Sequence, residues 1–425
     1  MKHYLCYIFL VLLFISCDND SHDNHTHGHK LFVTLQDSDG VAIIDSDNLN
    51  FLEIININLS DIDCSTLENQ MDCEMAGCMW HTMGDTAHCM NMNMNMTETP
   101  HDVVVDDANG YWFTSTIMAG YIGMYSLESN QLISSYLVGD QPALLALDSL
   151  NKKLYVSRMM SMSMDDGMDM GSTTNIIHEL SYASDILESS NEFNLQFSAP
   201  HAIGFDNIYG NIYTASNTSD YMAKIEPLSG AIDYVSLDSS YSQNPTIELN
   251  RLKPLKIAIR YPYVFISCSG GEWYDSNTGN TEMIPGQVQM RHIDDMSLLK
   301  IFEFSTFSHP WHIHLSLIED KIFVALSGDQ ASDTDSGVAC LEYGQYANEY
   351  FLNNVWQKSS DSYGTMHGIA VSSNGEYVYA SGRTDGNIYK FDASTGDEIG
   401  FTNLVSSGGV RTGGIALSHQ AIHEE

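Results

Sequence analysis

Seven similar segments recur along this chain, and their spacing constrains the fold more than any other feature. Each segment begins with a short apolar strand, which is followed by a turn and by further β-rich strands. We call the residue at the equivalent position near the start of each first strand the register residue, and it is often histidine. Adjacent register residues lie roughly 40–60 residues apart, near the period of β-propeller repeats, which have four strands per blade. The register residues are His101, Ala143, His201, Leu255, His312, His367 and Gly413. We therefore predict an all-β, seven-bladed β-propeller.

The two ends of the repeat region are each incomplete. The last segment, 413–418, has no room for further strands before Glu425, and the first strand, 31–35, has no inner strand before it. If the C-terminal strand completes the first blade, two exposed sheet edges disappear, which protects the fold from edge-to-edge pairing. We predict this closure within a propeller domain that covers residues 31–420.

Histidine occupies four of the register positions, namely His101, His201, His312 and His367. Equivalent repeat positions come to equivalent places in space, so a closed ring gathers these imidazoles near its axis. Convergent imidazoles suit a transition metal, and His314 and His309 are two further candidate ligands. The alternative is that each histidine only caps its inner strand through hydrogen bonds.

Methionine is concentrated in polar segments, which argues against its ordinary role as a filler of apolar cores. The first segment, 71–96, contains Met71, Met75, Met79, Met83, Met90, Met92, Met94 and Met96. The second, in the loop 158–175, contains Met159, Met160, Met162, Met164, Met168 and Met170. Thioethers are soft ligands that prefer Cu(I), so we predict secondary copper capture by Met90–Met96 and Met159–Met170. The alternatives are low-complexity drift or a sink for oxidants.

The N-terminus has the pattern of an exported lipoprotein. Residues 1–16 contain Lys2 and then about a dozen apolar residues, too few for a spanning helix. The run ends at Ser16-Cys17, which resembles a lipoprotein processing site. We predict that Cys17 carries the lipid and that the protein is an outer-membrane lipoprotein facing the periplasm or the cell surface. The alternative is a signal peptide that is simply cleaved.

A polar tether, residues 17–30, follows the predicted lipid and has no packing residues, so we predict that it is disordered. Its four histidines are His22, His25, His27 and His29. Several imidazoles on a flexible segment offer a low-affinity capture site for Cu(II), Zn or Ni. The alternative is a linker with no role in metal binding.

Four cysteines cluster within an insertion, 61–97, and they are Cys64, Cys73, Cys78 and Cys89. An even number of cysteines in an oxidising compartment predicts two disulfides that staple this loop, with three connectivities open. A zinc site is the weaker alternative, because the spacing fits zinc ligands poorly.

Cys268 and Cys340 lie in neighbouring blades, and a disulfide between them and two buried free thiols are equally compatible with the sequence.

The formal charge is −38, from 55 acidic and 17 basic residues. Nucleic-acid binding depends on Lys and Arg that neutralise phosphates, so this charge argues against it. The same charge argues against an electrostatic membrane-binding patch. We expect a solvated acidic exterior.

The repeats resemble a known family. Pro-His-Ala-Ile-Gly-Phe-Asp (200–206), Met-His-Gly-Ile-Ala-Val (366–371) and Val-Gly-Asp-Gln-Pro-Ala (138–143) are similar to the YVTN family of bacterial surface propellers. Pro-His-Asp (100–102) also resembles, more distantly, the propeller of nitrous oxide reductase, whose inner-strand histidines hold copper. The resemblance implies the propeller fold. From the axial histidines and the Met-rich segments we predict that this propeller binds copper for sequestration or delivery, or for a redox reaction. The alternative is a binding module that contacts a protein or glycan partner through its acidic rim and the loop 61–97.

Overall fold

A computed structural model describes residues 29–59, 79–83, 86–90, 97–139, 141–159, 175–238, 250–275, 278–328, 336–407 and 411–421. The regular elements within these ranges are β-strands and short 3₁₀ turns. Seven four-stranded antiparallel sheets form the blades of a propeller, so the predicted all-β, seven-bladed fold is confirmed. Over the same ranges, no helix has the length and apolar character that crossing a membrane requires.

Each blade has an inner strand along the axis and three strands that follow outward. Blade 1 contains β32 (Thr412–Ala421), β1 (His29–Leu35), β2 (Gly40–Asp45) and β3 (Phe51–Asn56). Blade 2 contains β6 (Pro100–Asp106), β7 (Tyr111–Thr116), β8 (Tyr121–Ser126) and β9 (Leu132–Leu137). Blade 3 contains β10 (Pro142–Asp148), β11 (Lys153–Arg158), β12 (Ile176–Ser181) and β13 (Glu188–Asn194). Blade 4 contains β14 (Pro200–Phe205), β15 (Ile212–Ser216), β16 (Tyr221–Glu226) and β17 (Ala231–Ser236).

The remaining blades follow the same plan. Blade 5 contains β18 (Pro254–Arg260), β19 (Tyr263–Cys268), β22 (Gln287–His292) and β23 (Leu298–Glu303). Blade 6 contains β24 (Pro310–Leu315), β25 (Lys321–Leu326), β26 (Gly337–Tyr346) and β27 (Glu349–Ser359). Blade 7 contains β28 (Met366–Val371), β29 (Tyr377–Gly382), β30 (Asn387–Asp392) and β31 (Glu398–Asn403). Two hairpins stand outside the blades, formed by β4 (Met79–Met83) with β5 (Thr86–Met90) and β20 (Gly271–Asp275) with β21 (Asn280–Ile284).

The apolar cores lie between neighbouring blades. Each inner strand contacts the inner strand of the next blade, and β32 contacts β6, which closes the ring. Between blades 1 and 2, for example, Trp112 stacks on Tyr125 with ring centroids 4.0 Å apart and also contacts Phe32. In the outermost strands, exposed and partly buried residues alternate or most residues are exposed, because one face of each strand meets solvent.

The closure predicted from the chain ends is confirmed. Strand β32 pairs antiparallel with β1, with Leu417 opposite Leu31 and Ile415 opposite Val33. The last strand of the chain is therefore the inner strand of the first blade. This pairing covers the sheet edge that β1 would otherwise expose.

The propeller has two distinct faces. We call the face where all inner strands begin the start face, and the face where they end and turn into the second strand the turn face. Strands β3 and β11 both end at the start face, so the segments 60–78 and 160–174 join the described residues there. His29 pairs with Ala421 at the end of β32, so the N-terminal tether joins the propeller at the turn face.

Several predictions concern residues outside the described ranges. Cys17, three of the four clustered cysteines, the tether histidines before His29, and most of the clustered methionines lie there, and their roles stay predictions. Cys89 and Met90 lie in β5, of which the backbone pairing is described. Cys268 and Cys340 are both buried free thiols.

Candidate axial histidine site

Every inner strand carries a one-residue β-bulge near its beginning. In β6, Pro100 pairs with Thr116 and Val103 pairs with Thr114. The inner strand therefore advances by three residues where its neighbour advances by two, and it contains one extra residue. The other inner strands show the same irregularity. In six blades the residue just before the inner strand has left-handed backbone dihedrals, and these residues are Thr99, Gln141, Ala199, Lys253, His309 and Arg411. Bulges re-aim side chains and occur beside functional sites.

The bulges bring four histidine side chains together around the axis. His101, His201, His312 and His367 are between 3% and 6% exposed. The ring centroid of His101 lies 5.9 Å from that of His201 and 5.6 Å from that of His367. The rings of His367 and His312 are 4.7 Å apart. We call these four residues the histidine layer.

Blade 6 differs from the register that the sequence indicates. Pro310 pairs at the strand start as Pro100 does, so the equivalent of His101 is Trp311, and His312 lies one residue farther along. Both Trp311 and His312 fall within the bulge, which is why His312 still joins the layer. The Trp311 indole meets the His367 ring edge to face, with centroids 4.7 Å apart. The sequence-based register was therefore wrong by one residue in this blade.

Gly413 is the register residue of the closing strand, and the space there admits no side chain. A Cβ at this position would lie 2.5 Å from Thr34 Oγ1 and 3.0 Å from the His101 carbonyl oxygen. Glycine therefore lets β32 approach β6 closely beside a member of the histidine layer.

Hydrogen bonds hold two of the four imidazoles. The Gln36 amide Nε2 lies 2.8 Å from His101 Nδ1, and His201 Nδ1 donates to the Leu255 carbonyl at 3.0 Å. The His201 lone pair is consequently on Nε2. Within the described residues, His101 Nε2 and His367 Nδ1 are buried without a hydrogen-bond partner. Buried unpaired nitrogens are rare in folded proteins, so these two make the histidine layer a candidate ligand site.

The electrostatic surroundings keep the layer neutral. Burial lowers the pKa of His201 to about 4, and it holds the pKa of His101, His312 and His367 well below the usual value. Nearby cations lower these pKa values further, chiefly Lys256 for His312 and Arg383 for His101 and His367. Neutral imidazoles present lone pairs, which metal coordination requires.

Two cations flank the layer. Lys256 of blade 5 reaches across the channel to Asp102 of blade 2, with Nζ and Oδ2 3.5 Å apart. Arg383 follows β29 at the start face, and its Nη1 is buried without a hydrogen-bond partner in the described part of the chain. Burial and, to a smaller extent, the nearby Arg411 lower the pKa of Arg383 to about 10, so the guanidinium remains charged at neutral pH.

Three pairs of rings in the layer have the separation of two imidazoles that share a metal ion. An imidazole nitrogen binds such an ion at about 2.0–2.1 Å, so two rings on one ion have centroids roughly 4–6 Å apart. The three measured separations lie in this range. As placed, however, no group of three or more His, Cys, Asp or Glu side chains in the described ranges could hold a metal ion. Binding therefore requires the rings to turn about their side-chain torsions.

A cavity of about 330 Å³ leads along the axis from the histidine layer toward the turn face. Nine of its fifteen lining residues are aliphatic, and these nine lie in the inner strands. Its polar lining consists of Asp102, Asp107, Lys256, His312, His314 and His419. The cavity therefore reaches His312 of the histidine layer from the turn face.

The other predicted ligands take different places. His314 lines the cavity, and its Nδ1 donates to the Leu315 carbonyl at 2.9 Å. His309 precedes β24 at the start face, where its Nδ1 donates to the Ser269 carbonyl at 3.0 Å. Met159 packs against the core between blades 3 and 4, which is the ordinary role of methionine.

No protein-family model matches this chain, and no curated protein matches it significantly. Solved structures with a similar fold are β-propeller proteins. A functionally unknown protein from Desulfotomaculum acetoxidans DSM 771 is 11% identical, with a TM-score of 0.61 over 92% of this chain and 99% of that chain. A candidate 6-phosphogluconolactonase from Bacteroides fragilis NCTC 9343 is 10% identical, with a TM-score of 0.58 over 93% and 99%. The Swd1 β-propeller domain from Myceliophteria thermophila is 9% identical, with a TM-score of 0.55 over 76% and 91%. These similarities show the fold alone.

Proposed function

We propose that this protein binds copper as Cu(I) in the histidine layer and sequesters or delivers it in the cell envelope. The observation that carries the proposal is the pair of buried, unpartnered nitrogens, His101 Nε2 and His367 Nδ1, within a layer of four imidazoles. A bound ion would satisfy both nitrogens once the Gln36 amide turns so that its Oε1 accepts from His101 Nδ1–H, which leaves the lone pair of His101 on Nε2. Imidazole suits Cu, Zn, Fe and Ni, so the choice among these metals depends on the surroundings of the layer.

The flanking charges favour a singly charged ion. Lys256 and Arg383 both act electrostatically on the histidine layer, and repulsion between charges is strong where water is excluded. Asp102 offsets part of the Lys256 charge. A dication such as Zn²⁺ meets twice the repulsion that Cu(I) meets. The predicted Met-rich segments favour the same ion, since thioethers are soft ligands.

The cellular setting belongs to the same proposal. A lipid on Cys17 would anchor the propeller to the outer membrane, and the resemblance to YVTN propellers fits a protein of the cell envelope. The tether and the Met-rich segments would be lower-affinity capture sites. A protein or glycan binding module is the alternative function, and it becomes the better account if the layer binds no metal.

Competition with a chromophoric Cu(I) chelator tests the proposal on the full-length, untagged protein. We expect one tightly bound Cu(I) per chain in the wild type. Changing His101, His201, His312 and His367 together to Gln should remove this equivalent and leave weaker binding by the other segments. Zn²⁺ should compete poorly.

His178→Gln is the matched control, because His178 is also a largely buried histidine with a lowered pKa but lies in β12, away from the axis. This variant should keep the tight Cu(I). Elemental analysis of the purified protein gives an independent count of the metal. If the wild type binds no tight copper, or the quadruple variant binds it equally well while folded, the proposal is wrong.

A further inference from the structure

We propose that copper reaches the histidine layer from the turn face, through a second site formed by His29 and His419 at the mouth of the axial cavity. The inference rests on the copper function proposed above, and it adds a metal site and a direction of entry. His419 is not one of the register histidines, and His29 is the last histidine of the tether.

His29 and His419 lie on the paired strands β1 and β32 of blade 1. Their ring centroids are 6.3 Å apart and their planes meet at 74°. His29 Nδ1 is buried without a hydrogen-bond partner among the described residues. Two imidazoles on opposite sides of one ion have centroids about 6 Å apart, given metal–nitrogen bonds of about 2 Å. The pair therefore has the separation of a two-coordinate Cu(I) site.

Backbone and side-chain contacts fix His419 at the cavity mouth. Its backbone N–H donates to Asp107 Oδ2 at 3.0 Å, and Ser418 Oγ donates to Asp107 Oδ1 at 2.7 Å. Asp107 and His419 both line the cavity, and His312 of the histidine layer lines it too. One continuous space thus joins His419, a member of the pair, to His312 of the histidine layer.

His314 lies along this space. It follows His312 by two residues, on the same face of β24, and it also lines the cavity. Because His314 Nδ1 donates to the Leu315 carbonyl, its Nε2 keeps the lone pair that a passing metal ion can use. The imidazoles of His419, His314 and His312 are then successive nitrogen donors along the cavity between the mouth and the axis.

The rest of the wall supports passage rather than trapping. It is aliphatic apart from Lys256 and two carboxylates, Asp102 and Asp107, which already accept hydrogen bonds or an ion pair. Hard carboxylates are poor ligands for Cu(I), so the imidazoles provide the preferred contacts. The tether histidines that precede His29 in the sequence would deliver metal to the same mouth.

The rate of Cu(I) uptake tests the route. Full-length protein is mixed rapidly with a Cu(I)–chelator complex, and the chelator absorbance follows the transfer. We expect His419→Gln and His314→Gln each to slow uptake about tenfold, as loss of a supporting ligand weakens metal capture by about that factor. The amount of tightly bound Cu(I) at the end should equal that of the wild type.

His309→Gln is the matched control, since it removes a histidine at the start face and should leave the rate unchanged. If His309→Gln slows uptake and His419→Gln does not, the metal enters from the start face and the inference is overturned. Equal rates in all variants overturn it as well.

A second measurement separates this inference from the proposed function. In the quadruple variant of the histidine layer, weak Cu(I) binding remains at the His29–His419 pair, the tether and the Met-rich segments, and adding His419→Gln should lower the number of weakly bound Cu(I) ions by one. If the wild type has no tight copper but retains this weak site, the axial function fails while the mouth site stands. If His419→Gln leaves the number of weakly bound Cu(I) ions unchanged, the mouth site is wrong.

Discussion

The substitution Gly413→Ala removes no candidate ligand, yet it should damage both the closure of the ring and the histidine layer. The added Cβ would lie 2.5 Å from Thr34 Oγ1 and 3.0 Å from the His101 carbonyl oxygen. Thr34 Oγ1 donates a hydrogen bond to that same carbonyl at 3.1 Å. The methyl group therefore forces β1 or β6 to move at the point where His101 is held.

The expected effect follows from two physical contributions. Overpacking a well-packed interior costs about 1–3 kcal/mol, and a disturbed buried hydrogen bond costs about 1 kcal/mol more. We expect the free energy of unfolding to fall by about 2–4 kcal/mol, measured by urea denaturation of the metal-free protein. Cu(I) affinity should fall at least about tenfold, because small displacements of a site residue have large effects.

Gly400→Ala is the matched control for this substitution. A Cβ at Gly400, in the outer strand β31, has no atom within 4 Å. Its effect on unfolding should stay within about 0.5 kcal/mol, as for other unconstrained surface positions. A Gly413→Ala variant as stable as the wild type would refute the close-approach argument. A destabilised variant with unchanged Cu(I) affinity would show that His101 is not a ligand.

Two further predictions concern the anchor and the pH dependence of stability. Changing Cys17 to Ala should move the protein from the membrane fraction to the soluble fraction, as judged by fractionation and immunoblotting, and retention in the membrane would contradict lipidation at Cys17. Burial lowers the pKa of His178 to about 4, so the unfolded chain, with a pKa of about 6.5, takes up the proton first. The stability that neutral His178 contributes above about pH 6.5 is thus lost as the pH falls toward 4, by about 3 kcal/mol. In the His178→Gln variant, the free energy of unfolding measured in urea should fall by about 3 kcal/mol less between pH 6.5 and 4 than in the wild type. An equal fall in both proteins would contradict the lowered pKa of His178.

The repeat spacing was sufficient to predict the fold. Every blade begins with a similar inner strand, so the number of repeats gives the number of blades, and the incomplete ends give the closure by β32. The exact register was harder to predict, because each inner strand holds an extra residue in a bulge. In blade 6 the bulge contains both Trp311 and His312, and a sequence pattern cannot tell which of two bulged residues is equivalent to His101.

Part of the site was also beyond sequence reasoning. Lys256 and Asp102 each directly follow a register residue, and this position is the only hint in the sequence that they lie near the axis. Their ion pair across the channel could not be predicted, because it depends on which blades face each other. Gln36 and Thr34 reach His101 from β1 and the turn after it, because the chain closes on itself. His419 and His29 are far apart in the sequence, and closure alone brings them together at the turn face.

The arrangement at the axis links the stability of the ring to its ligand. Each buried nitrogen without a partner costs roughly 1–3 kcal/mol, and His101 Nε2 and His367 Nδ1 both carry this cost in the same layer. The bulges and left-handed residues before the inner strands add strain at the same level of the axis. The surrounding blades can sustain this cost because a separate apolar core lies between each pair of neighbours. The proposed ion would remove this cost only in the folded state, so its binding would stabilise the closed propeller by an amount that grows with the logarithm of its affinity.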